Sequence, residues 1–210
     1  MKAQHLKIKE YCRISNNRVL LNDQLLYDDP GHDFTTFIKL AYKKMDTNYP
    51  KFFKMDDLSK LGFLASDILL KPTIQDSEMP KNIALVFSNS ASSLPTDRKH
   101  QESIADKENY FPSPAVFVYT LPNICLGEIS IKHRLYSENS FFIFNHFNAE
   151  YLHDYASSLI ESEKADEVLC GWINCDVEDY EAFLYLVSTE GNIAHNKEEI
   201  IKLYTTKWAI

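Results

Sequence analysis

The sequence predicts an α/β layer with helices on both faces of one sheet. Four nearly uniform apolar runs have the composition of strands buried on both sides: IALVFSNS from Ile83, SFFIFN from Ser140, EVLCGWIN from Glu167 and EAFLYLVST from Glu181. Around them lie stretches with apolar residues at helical spacing, MDDLSKLGFLASDILLK from Met55 and FNAEYLHDYASSLIESEK from Phe147. No internal repeat or low-complexity linker interrupts this alternation, so residues 1–210 are expected to form one domain.

In chain order, HLKIKEYCRIS and RVLLND flank Asn16-Asn17 and predict a hairpin. The stretch 28–50 mixes turn residues with the helical FTTFIKLAYKKM. The helix from Met55 starts on acidic residues, aligns Leu58, Leu61, Leu64, Ala65, Ile68 and Leu69, and is expected to end at Lys71-Pro72. The polar stretch 88–109 reads as a loop around one helix. SPAVFVYTLPNICLGEISI is either extended or a broken helix. The helix from Phe147 puts Ala149, Leu152, Ala156, Leu159 and Ile160 on its apolar side. EEIIKLYTTKW closes as a short helix or strand.

Composition bounds the function. An apolar share of 45% and a charged share of 25% over 210 residues suit a soluble protein with a sizeable core. No apolar run approaches the ~20 residues of a membrane helix. The first residues lack a signal-peptide core, so a mature cytoplasmic protein is expected. Cys12, Cys125, Cys170 and Cys175 match no zinc spacing and are expected to be reduced. Charge is uneven: residues 1–60 carry a net +3, 61–144 a net −2, and 145–210 a net −9. So acidic a C-terminal third repels phosphate backbones and anionic lipid, and neither nucleic acid nor membrane is an expected partner.

The join in FFIFNHFNAEYLHDYA, where a strand runs into a helix at His146, admits three readings. If the helix starts near His146, then His146, Glu150 and His153 share a stripe at i, i+4 and i+7, beside Asp154, as metal ligands do. Alternatively His146 is a catalytic base, though no Gly-x-Ser-x-Gly, Cys-x-x-Cys or Gly-rich phosphate loop accompanies it and the chain has five glycines. Third, Asn145 and His146 cap the helix. Local evidence favours the cap, and neither a metal nor a cofactor is expected.

A wider pattern surrounds that join. Leu121-Pro122-Asn123, Gly127, Ile129-Ser130-Ile131-Lys132-His133, Asn139, Ala165-Asp166 and Leu169-Cys170-Gly171 follow one another at set spacing, after a Met-Asp helix and IALVFSNSASSL. This order resembles the N-terminal half of a β-ketoacyl synthase, a thiolase-fold condensing enzyme, over about residues 50 to 175. The resemblance implies a five-stranded mixed sheet of order 3-2-1-4-5 in a single thiolase-like half. Counting from Ile129, the family's nucleophilic cysteine falls on His146. Its Thr-Ala-Cys-Ala-Ser has become Phe144-Asn145-His146-Phe147-Asn148, and imidazole cannot hold a thioester. The two catalytic histidines of the family's second half have no counterpart up to Ile210; His195 lacks their Gly-rich setting.

The resemblance therefore implies a non-catalytic partner or scaffold for condensing enzymes of a specialised fatty-acid or polyketide-like pathway. In the family the strand before the nucleophile lies at the dimer axis. Phe141, Phe142, Ile143 and Phe144 are thus expected at an interface, in a homodimer or with a ketosynthase. Tyr151, Tyr155, Phe63 and Trp172 are candidates for further contacts. An acyl carrier protein is a less favoured partner, since carrier proteins are acidic and this chain carries −8, and the slightly basic first 60 residues are the docking face it would use. The alternative is an enzyme of altered chemistry, or an acyl-binding module, built around Asn145, His146, Glu150 and His153.

Overall fold

The computed structural model describes residues 5–74, 80–108, 110–176 and 179–206. Strands β1 (Lys7–Ser15), β2 (Arg18–Leu21), β3 (Gln24–Asp28), β4 (Ile83–Asn89), β5 (Asn139–Ile143), β6 (Glu167–Asp176), β7 (Asp179–Ser188) and β8 (Ile193–Ala194) form one sheet. Helices are α1 (Phe34–Lys44), α2 (Asp57–Ile74), α3 (Leu94–Ala105), α4 (Pro114–Val118), α5 (Ile124–His133), α6 (Ala149–Glu161) and α7 (Lys197–Thr205).

The N-terminal hairpin forms where Asn16 and Asn17 supply left-handed backbone at φ 48° and 56°. A second such turn, Asn22-Asp23, adds β3. The proline- and aromatic-rich stretch is the broken helix, α4 then α5. The C-terminal segment is helical as far as Thr205, its Lys207 and Trp208 lying outside the described residues, and α2 carries Pro72 within it rather than stopping there.

Sheet order is β3-β2-β1-β7-β6-β4-β5, with β8 also paired to β1. Only β4 is parallel to its neighbours, β5 and β6; the other pairs are antiparallel. This corrects the expected five strands to eight among the described residues. Numbered along the chain, the five expected strands run 3-2-4-5-1, not 3-2-1-4-5, because β6 pairs directly with β4 and β1 lies outside β7. The reason is chemical. KIKEYCRIS carries Lys7, Lys9, Glu10 and Arg13, too many charges for a strand between two parallel neighbours. It suits an antiparallel place with one drier face.

β4 and β7 are buried on both sides and divide their residues by period two. Leu85, Phe87, Leu184 and Leu186 join α1, α2 and α5 in one core; Ala84, Val86, Tyr185 and Val187 join α6 and α7 in the other. α2 is the central helix of the first core, with Leu61, Phe63, Leu64, Ala65, Leu69 and Leu70 fully buried. β5 departs from expectation: it is the sheet's last strand, exposed at Asn139 and Ile143 and half-buried between.

Candidate functional site

The strand-to-helix elbow lies at the exposed end of β5. The Phe144 N–H donates to the Asn89 carbonyl at 2.8 Å, prolonging the parallel ladder by one bond. The chain then bends through Asn145 and His146, both exposed. Phe147 turns inward against Tyr204, ring centroids 4.2 Å apart, and edge-on to Phe183 at 5.7 Å. That inward turn forces the bend and delays the helix.

α6 begins at Ala149. Its cap is Asn148, whose side-chain oxygen accepts from the Tyr151 N–H at 3.0 Å. The expected cap by Asn145 and His146 is therefore corrected by one short step along the chain. The helix terminus that would activate a nucleophile is already engaged by an amide side chain. Asn148→Ala is expected to cost about 1 kcal/mol. His146→Ala should stay within about 0.5 kcal/mol of wild type. Paired urea melts check both, and a larger loss at His146 would return the cap to it.

The proposed stripe also separates. His146 lies outside the helix, and Glu150 reaches Lys197 of α7 at 2.8 Å. His153 faces His195, ring centroids 4.8 Å apart, while its Nδ1 contacts Asp154 at 2.8 Å. Among the described residues, no three His, Cys, Asp or Glu side chains are grouped to hold a metal ion.

The histidine pair lines a cavity of about 480 Å³ beside Ser157, Asn196 and His5, which sequence spacing gave no means to find. His195 is buried, and burial together with nearby His153 lowers its pKa to about 3. That shift points away from base catalysis, which works best with a pKa near the operating pH. The Ser157 hydroxyl lies 3.5 Å from His195 Nδ1, the limit of a hydrogen bond.

All four cysteines are reduced and buried. Burial pushes Cys170 and Cys175 up to about 12 and raises Cys12 and Cys125 as well. These thiols stay protonated at neutral pH and are packed as small hydrophobes, remote in sequence from the elbow.

Around the elbow an aromatic group forms instead. Phe142 meets Tyr151 and Tyr155 edge-on at 4.8 and 5.1 Å, and Phe144 meets Tyr151 at 5.1 Å. Tyr155 is tied to β5 through Ser140, at 3.1 Å, and donates to Glu138 at 3.2 Å. Phe141 packs against the first core, whereas Ile143 is 51% exposed. On its outer side β5 has no strand partner among the described residues. Two contact candidates fail here: Phe63 and Trp172 are buried in the core, so only Tyr151 and Tyr155 remain accessible. Phe111, Phe117 and Leu121 are exposed as well and were not singled out by sequence, since they follow no single period.

No family model matches the chain. No curated protein matches it either. Solved structures do. The ishigamide ketosynthase/chain length factor superposes with a TM-score of 0.64 at 15% identity, over 88% of this chain and 62% of that one. A chain of the ketosynthase ApeO in complex with its chain length factor ApeC, from Xenorhabdus doucetiae, gives 0.60 at 11% identity, over 95% and 90%. A β-ketoacyl synthase from Burkholderia phymatum gives 0.55 at 11%, over 88% and 59%. This chain thus has the thiolase-like fold of a ketosynthase half. It spans less than two thirds of the first of these relatives and nine tenths of the second.

Proposed function

We propose that the chain is a non-catalytic ketosynthase-like subunit that partners a condensing enzyme of a specialised fatty-acid or polyketide-like pathway in the cytoplasm. Residues 1–210 act as one ketosynthase-like domain in this reading. The observation that carries it is the elbow: where a condensing enzyme mounts its thiolate, this chain has exposed His146 ahead of a helix capped by Asn148. Buried, protonated thiols elsewhere support the loss of acyl transfer. Beside the same elbow, the outer side of β5 has no strand partner among the described residues and is rimmed by aromatics, the composition of an interface core.

Two similar structures are assemblies, one of a ketosynthase with its chain length factor and one of a type II acyl-carrier protein with its ketosynthase. They support a heteromer with a ketosynthase, with an acyl carrier protein as a further partner and a homodimer as the simpler assembly. No described helix is long and apolar enough to cross a membrane.

Native mass spectrometry of the tagged protein purified from its own host tests the assignment. Wild type should co-purify with a full-length ketosynthase. Ile143→Lys, placed where the native side chain is half in solvent, should weaken that complex by about 100-fold while leaving the fold intact. A wild-type protein recovered as a bare monomer or homodimer would end the heteromeric reading.

A further inference from the structure

A second cavity, of about 220 Å³, lies where α2 begins and α3 and α4 lean across it. Its lining divides by chemistry. Met55 and Leu58 form an apolar base with the buried Tyr119, and Val116 of α4 forms a wall. Tyr119 is held in place by its contact with the buried Glu128, at 3.3 Å.

The charged groups are also divided. Asp56 is committed to the fold: it accepts from the Ser59 N–H and the Thr96 hydroxyl, both at 2.9 Å. Asp57 is committed to Lys60 at 3.0 Å. Lys54 and Lys99 line the same cavity, are exposed, and have no hydrogen-bond or ion-pair partner among the described residues. The cavity therefore presents an apolar interior with two uncommitted ammonium groups and two engaged carboxylates.

We propose that this cavity binds a short aliphatic carboxylate, with the chain against Met55, Leu58, Val116 and Tyr119 and the carboxylate between Lys54 and Lys99. The volume sets the size, since it lies below the ~300–1,000 Å³ typical of drug-sized ligands. The lysines set the sign of charge. The apolar base excludes a strongly hydrated polyanion, whose shell it cannot replace. The site is separate from the elbow, because His146 does not line it.

The test is a chemical-shift titration of the isotope-labelled full chain with hexanoate at neutral pH, alongside hexylamine and inorganic phosphate. Hexanoate should saturate and move the resonances of Leu58, Val116 and Tyr119. The double variant Lys54→Ala/Lys99→Ala, altered only at exposed positions, should bind about fivefold more weakly or worse. Val116→Trp should fill the cavity and abolish binding, because no residue of α4 is buried and the core is left alone. The double lysine variant decides the matter if the tryptophan variant does not fold. Absence of saturation by hexanoate overturns the proposal. So does unchanged affinity in the lysine variant, or binding of hexylamine or phosphate as tight as that of hexanoate.

Discussion

Gly171→Ala should abolish or nearly abolish the folded state, while Gly127→Ala should slightly strengthen it. Both glycines belong to the pattern that resembles a ketosynthase, yet the structure gives them opposite roles. Gly171 sits in the middle of β6 at φ +152°, a backbone state that costs an L-residue on the order of 1–3 kcal/mol. An added Cβ would lie 2.1 Å from the Phe183 carbonyl oxygen and 3.0 Å from the Leu184 Cα. Both contacts are backbone atoms of β7, so no side-chain rotation relieves them. The two strands must separate, and β6 and β7 place residues in both cores at once. We expect a loss of about 4 kcal/mol or more, against total stabilities of about 5–15 kcal/mol for folded domains. Gly127 lies on the exposed side of α5 with nothing within 4 Å of its missing Cβ. There alanine should add about 0.5–1 kcal/mol by its better helix propensity. Urea denaturation followed by circular dichroism measures both. A wild-type midpoint for Gly171→Ala would mean that β6 and β7 are not this close.

The same two glycines show how far sequence reading reaches. Matching a motif located each of them, but only the neighbouring strand distinguishes a forbidden Cβ from a harmless one. Helical spacing found α1, α2 and α6 along their own residues, and nearly uniform apolar runs found β4 to β7. Composition placed SFFIFN among the buried strands because an edge strand covered on one side has the same composition as a central one. Sheet order was misjudged for a related reason: pairing is a property of two segments, although the charges of β1 were a usable signal against a place between two parallel neighbours. At the elbow, Asn145 and Asn148 are both good caps. Which one serves depends on Phe147 reaching Tyr204 and Phe183, partners supplied by α7 and β7. His153 and His195 meet only through the packing of α6 near β8, which no spacing encodes.

Removing the carboxylate of Asp67 should be nearly as damaging, with a dependence on pH that identifies the cause. Asp67 on α2 is buried, accepts from the Thr47 hydroxyl at 2.8 Å, and pairs with His133 Nε2 at 3.2 Å. His133 ends the Ile129–His133 segment that carries the family resemblance, so this segment acts as a tie between α5 and α2. Burial alone would raise the Asp67 pKa, but the contacts from His133 and Thr47 outweigh it and hold the carboxyl below its usual range. Asp67→Ala leaves the Thr47 hydroxyl without its acceptor and the buried His133 imidazole without the carboxylate beside it, and should cost about 3–5 kcal/mol. Asp67→Asn keeps the shape and an acceptor for Thr47, so its loss at neutral pH should be smaller. Because the folded-state pKa is depressed, the stabilisation is complete above the unfolded value of about 3.9 and disappears as pH falls through the folded value below it. Thermal melts from neutral pH down to about pH 2.5 should therefore show wild type and Asp67→Asn converging in acid. If the two curves stay parallel, the acid sensitivity belongs to another carboxylate and the α2–α5 tie is held by packing alone.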